Sequence, residues 1–103
     1  MDIRYIRLLF TKGIYRWTDY ILMRLIQKGI SENDIMNVIL CGEIIEEYPE
    51  DYPYPSCLIS GINKDSKTLH VVCGIGDGIL WLITAYYPSL KKWNIGFKTR
   101  RRL

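Results

Sequence analysis

His70 is the only histidine in the chain. It is also the side chain whose ordinary pKa permits proton transfer near neutrality. It stands in TLHVVCGIGDGILWLITAYYP, where two strands joined across Gly76-Asp77-Gly78 have the pattern of a hairpin. If those three residues form the loop, His70 faces Thr84, Thr68 faces Tyr86 and Val71 faces Ile83. An imidazole beside two hydroxyls suits phosphodiester or acyl transfer. The same residue types also fit a partly exposed strand histidine that only bonds a neighbour.

The second constellation is the C-terminal KKWNIGFKTRRR. Lys91, Lys92, Lys98, Arg100, Arg101 and Arg102 can neutralise phosphates and release counterions. Trp93 and Phe97 lie among them, and aromatic rings can stack on unpaired bases. That composition suits RNA. A segment docked on an acidic partner, or a solvated tail that aids solubility, has the same composition. Trp93 is expected to anchor the segment, with Lys98 and Arg100 pointing toward the sheet face that holds His70.

Other chemistries find less support. Cys41, Cys57 and Cys73 are odd in number and form no CxxC pair, and one histidine cannot complete a usual zinc set. Buried free thiols are expected, and neither a metal nor a cofactor. The glycines of GIGDG lack the following lysine and helix of a phosphate loop. Glu46 and Glu47 are adjacent, so on a strand they face opposite sides and do not pair as a glycosidase diad. Charges on an exposed edge also oppose aggregation. Tyr48, Tyr52 and Tyr54, on a loop stiffened by Pro49, Pro53 and Pro55, offer either a binding surface or core packing.

The elements that would position these residues are legible as periodicities. Ile3, Ile6, Leu9 and Phe10 fall at helical spacing, ended by Gly13, with a strand as the alternative because IRYIRLLF is rich in branched and aromatic residues. A second helix starts at Thr18 or Asp19, buries Ile21, Leu22, Leu25 and Ile26, and stops at Gly29. A third begins with the Ser31/Asp34 capping box, buries Ile35, Val38 and Ile39, and stops at Gly42. Strands then follow at Glu43–Tyr48, Cys57–Asn63, Thr68–Ile75 and Ile79–Tyr87. The three-residue loop would place Leu69, Val71, Cys73, Ile75, Trp81, Ile83 and Ala85 against the helices, with Thr68, His70, Val72, Leu82, Thr84 and Tyr86 on the other face.

The fold class is therefore α+β. Two or three N-terminal helices pack on one face of an antiparallel sheet of three to four strands. One domain is expected over residues 1–103, with helices at about 2–41, sheet at about 43–87 and a basic segment at 88–103. No apolar run is long enough to span a membrane, and the charged N-terminus is no signal peptide, so a cytoplasmic protein is expected. The net charge of +3 conceals a basic, acidic, neutral, basic order along the chain.

RWTDYILMRLIQKGIS, GEIIEEYPEDYPYPSCLISG, TLHVVCGIGDGILWLITAYYP and KKWNIGFKTRRR follow one another in order. From about Ile3 to Arg102 this succession resembles the family catalogued as domain of unknown function 4258. The family is similar to BrnT-like and RelE-like toxins, which are small α+β ribonucleases. The resemblance implies a RelE/BrnT-like fold and a toxin of a type II toxin–antitoxin pair that binds and cleaves RNA without a metal. It also implies a cognate antitoxin with an MqsA-like zinc finger. Whether the chain forms a homodimer is left open.

Family members commonly read RWTDHAL where this chain runs from Arg16 to Leu22, so Tyr20 replaces a histidine. Tyrosine, with a pKa near 10, is a poor base at neutral pH. That departure supports the alternative of a non-catalytic protein-interaction module. The family pattern is kept at Arg24, Tyr48, His70, Thr84, Tyr86, Trp93, Lys98 and Arg100. By the electrostatic logic of RelE-like ribonucleases, Arg24 with Lys98 or Arg100 would stabilise the transition-state charge. His70 and Tyr86 would exchange protons, with Thr84 and Tyr20 as further candidates.

Overall fold

A computed structural model describes residues 1–102. Its elements are α1 (Ile3–Thr11), β1 (Tyr15–Trp17), α2 (Asp19–Lys28), α3 (Glu32–Cys41), β2 (Glu43–Tyr48), β3 (Ser56–Ile62), β4 (Thr68–Gly76) and β5 (Ile79–Tyr86). The α+β class holds, with the helices preceding most of the sheet and packing on it. The sheet differs from the expectation in having five strands, ordered β1-β5-β4-β3-β2, with β1 parallel to β5 and all other pairs antiparallel. β1 has three residues and no periodicity of its own. Only its partner defines it.

The helices begin where their side chains can satisfy the free amides of the first turn. The Thr18 hydroxyl accepts from the Ile21 amide, and Ser31 and Asp34 form the reciprocal capping box. Gly29 ends α2 in the left-handed conformation, at φ 64°. Ile6 and Leu9 of α1, Ile21 of α2, and Ile35, Val38 and Ile39 of α3 are buried. They meet Cys57, Ile59, Leu69, Val71, Cys73, Leu80, Leu82 and Ala85 on one sheet face. α3 lies so close to β3 that a Cβ on Gly61 would come within 3.0 Å of the Val38 Cα. The stripe expected on α2 is only half present. Ile21 is buried and Leu25 partly so, but Leu22 is exposed and Ile26 is 86% exposed.

The β4–β5 hairpin corrects the expected register. Its loop is the two residues Asp77 and Gly78, both at positive φ (56° and 72°), which the tight hairpin turn requires. Near the turn, Ile75 pairs with Leu80, Gly74 with Trp81 and Cys73 with Leu82. Leu80 and Leu82 therefore enter the core, while Trp81 and Ile83 lie on the opposite face. A bulge at Ile83 then resets the alternation. Beyond it Val72 pairs with Thr84, Val71 with Ala85 and His70 with Tyr86. Bulges re-aim side chains in this way. Without the extra residue Tyr86 would point into the helical core, and with it Tyr86 faces His70.

The thiols divide. Cys57 and Cys73 are buried free thiols on paired strands, 3.8 Å apart, as expected of free cysteine. Cys41 is exposed, which corrects the expectation that all three are buried. Among the described residues no helix is long and apolar enough to cross a membrane.

Candidate functional site

The site takes shape on the sheet face away from the helices. His70 is fully buried there, opposite Tyr86, with their rings edge to face at 5.3 Å. Its Nε2 lies 2.9 Å from the Phe97 carbonyl oxygen and its Nδ1 lies 3.3 Å from the Tyr86 hydroxyl. A carbonyl only accepts, so Nε2 carries the proton and Nδ1 is left to accept from Tyr86. Burial lowers the His70 pKa from its ordinary value of 6.5, against the opposing pull of the Phe97 carbonyl and Glu46. The ring is neutral at neutral pH and can take up a proton. Burial raises the Tyr86 pKa, so that hydroxyl keeps its proton at rest.

The covering layer is the basic segment itself. Trp93 is 2% exposed and meets His70 edge to face at 4.7 Å, which agrees with the expected anchor. The same burial corrects the idea that its ring stacks on bases, because no face is open. Arg100 lies over the Trp93 ring at 4.5 Å and binds both oxygens of Glu46, at 2.9 Å and 3.0 Å. Glu46 also accepts from Tyr48 at 2.5 Å. Burial opposes the Glu46 charge, but the hydrogen bonds from Arg100 and Tyr48 outweigh it and hold the carboxyl below its usual range. Tyr48 is pushed up to about 12 by burial and by its bond to that carboxylate. Lys98 pairs with Glu43. The acidic run of β2 thus ties down the basic segment, a role that reading the two stretches separately does not reveal.

β1 covers only Leu80–Leu82 of β5, so the edge beyond Ile83 is left without a strand. A groove of about 680 Å³ occupies that place. Tyr20, Arg24 and Lys28 of α2 form one wall, Thr84 and Tyr86 of β5 its floor, and Ser89, Lys92 and Arg100 the far side. Among the described residues four cations line it and no carboxylate does. The Tyr20 hydroxyl accepts from Arg24 Nη2 at 2.6 Å and Nε at 3.2 Å, fixing that guanidinium. Among the described residues Arg24, Lys28 and Lys92 enter no ion pair.

Seven expected site residues therefore meet at one groove: Tyr20, Arg24, Thr84, Tyr86, Lys92, Trp93 and Arg100. His70 does not line it, but touches Tyr86 and Trp93, which do. Lys91, Arg101 and Arg102 are exposed outside it, and Lys98 is turned toward β2. Lys28 was missed, although it follows Tyr20 and Arg24 at four-residue steps and so shares their helix face. Of the loop tyrosines, Tyr52 is exposed, while Tyr54 stacks on Trp81 at 5.8 Å and bonds Asp77.

A helix-covered mixed sheet with a cationic groove at its uncovered edge defines a small α+β domain. The family model described as Domain of unknown function (DUF4258) matches residues 17–87, and the chain belongs to that family. The match ends before Pro88, so the segment that covers His70 lies outside it, although the resemblance suggested continuity to Arg102. No curated protein and no solved structure matches the chain.

Proposed function

We propose that this chain binds single-stranded RNA in the cationic groove and cleaves it, as the toxin of a type II toxin–antitoxin pair. One observation carries the reading: among the described residues four cations and no carboxylate line a groove whose floor holds a tyrosine hydrogen-bonded to a neutral histidine. Such a groove concentrates anions and stabilises charge that develops on a phosphoryl group.

The proton path follows from the bonding. The RNA 2′-hydroxyl gives its proton to the Tyr86 oxygen as Tyr86 passes its own to His70 Nδ1. The 2′-oxygen bonds to phosphorus and the bond from phosphorus to the 5′-oxygen breaks. Tyr20, whose oxygen accepts from Arg24, keeps its own proton to give to the leaving 5′-oxygen. The products are a 2′,3′-cyclic phosphate and a 5′-hydroxyl. Arg24, Lys28 and Lys92 hold the phosphate, and Thr84 lies beside Tyr86. The cognate antitoxin would close the groove with acidic groups.

End-labelled RNA incubated with purified protein tests this reading. Wild type should cleave it, and Tyr86→Phe should slow cleavage by about 10²-fold or more while still binding. Intact RNA at every wild-type concentration, together with normal growth of a host making folded protein, would refute it.

A non-catalytic interaction module is the second reading. Its support is the exposed apolar stripe Leu22, Met23 and Ile26 on α2 together with Tyr20 in place of the family histidine. That reading expects salt-sensitive binding to one protein and no loss of RNA.

A further inference from the structure

We infer that the strap formed by residues 93–100 is a positioning element of the site: the Phe97 carbonyl, held over His70 by the Glu46–Arg100 pair, turns Nδ1 toward Tyr86. This inference rests on the reading of Tyr86 as the group that exchanges protons with substrate.

The first observation is backbone conformation. Gly96 and Phe97 are consecutive residues at positive φ, 91° and 58°. Glycine accepts that region freely, but a bulky side chain adopts it only when its surroundings require it. The turn is closed by the Phe97 amide on the Asn94 carbonyl at 2.9 Å and by the Asn94 amide on the Thr99 carbonyl at 2.9 Å. Its outcome is a carbonyl aimed at His70 Nε2.

The second observation is the fastening. Trp93 pairs with Arg100 across the strap, and Arg100 binds Glu46 on β2. The charged and titratable groups around His70 come from three elements: Tyr86 on β5, Glu46 and its partner Tyr48 on β2, and Arg100 on the strap. When the Tyr86 O–H bond breaks and the Nδ1–H bond forms, the imidazolium holds its second proton against the Phe97 carbonyl. The strap lies outside the family match at residues 17–87, so this chain completes its site with a segment beyond it.

With one histidine in the chain, long-range proton–nitrogen correlation on ¹⁵N-labelled protein gives a single ring pattern. Wild type should show Nε2 protonated and Nδ1 bare near neutral pH. Glu46→Gln should move the pattern toward a mixture of tautomers and slow RNA cleavage by about tenfold or more, without weakening binding of a 2′-deoxy substrate. A wild-type ring protonated on Nδ1, or an unchanged pattern and rate in Glu46→Gln, overturns the inference. The predicted pattern in a protein that cleaves no RNA upholds the strap's hold on His70 and removes the ribonuclease reading instead.

Discussion

Removing Glu46 should tighten RNA binding even as it slows cleavage, and salt titration can count the charges responsible. Of the four cations lining the groove, Arg100 is matched by Glu46, while Arg24, Lys28 and Lys92 are not. Each phosphate neutralised on a single strand contributes about −0.7 to the slope of log affinity against log salt. Three cations predict a slope of about −2.1. Affinity should then fall about 18-fold between 50 and 200 mM salt, roughly 1.7 kcal/mol. Glu46→Gln frees Arg100 and should steepen the slope to about −2.8, while Lys28→Ala should flatten it to about −1.4. Fluorescence anisotropy with a labelled 2′-deoxy oligonucleotide measures all three without turnover. A slope that stays near −2.1 in Lys28→Ala would assign binding to the exposed Lys91, Arg101 and Arg102, which are also three charges, and refute the groove.

Three further outcomes test the fold around the site. Trp93→Ala removes a ring wedged between His70 and Arg100 and should cost about 3–5 kcal/mol, lowering Tm in calorimetry by about 12 °C or more. A loss of only a degree or two would mean that the strap is not packed on the sheet. Because burial lowers the His70 pKa from 6.5, the unfolded chain binds the proton more readily than the folded one. Stability is therefore full above about pH 6.5 and declines as pH falls toward the lowered folded value, by at most about 1.4 kcal/mol per unit. Denaturant titrations between pH 5 and 7 should show this decline, and a flat profile contradicts it. Gly76→Ala would put a Cβ 2.0 Å from the Tyr54 ring. Displacing that ring breaks its stack on Trp81 and its bond to Asp77, a loss of about 1–3 kcal/mol by urea denaturation.

Local pattern carried most of the fold. The capping groups of α2 and α3 lie within four residues of the turns they close, so Thr18 and the Ser31/Asp34 box were legible directly. The strands from Glu43 onward were equally clear. What depends on distant partners was not. β1 exists because β5 accepts it, and the bulge at Ile83 depends on how the hairpin meets the helices. Leu22 and Ile26 look buried by spacing, yet α2 turns only Ile21 and part of Leu25 inward. At the site, residue types suggested His70, Tyr86 and Arg24, but burial places His70 behind Tyr86. The acidic run and the basic segment looked like separate features until Glu43 and Glu46 were found paired with Lys98 and Arg100.

The strand order has a consequence for assembly. Tyr15 and Leu80 are partners in the sheet yet 65 positions apart in the chain, and such distant pairings form late. During synthesis β1 leaves the ribosome long before β5 exists and must wait unpaired. Meanwhile α2 and α3, which lie between β1 and β2 in the chain, bridge the two outer edges of the sheet. The Thr18 amide, bonded to the Leu82 carbonyl at 3.2 Å, gains protection only when the first and last strands have met. Its hydrogen exchange would therefore time the closing of the fold and, with it, the completion of the groove beside β5.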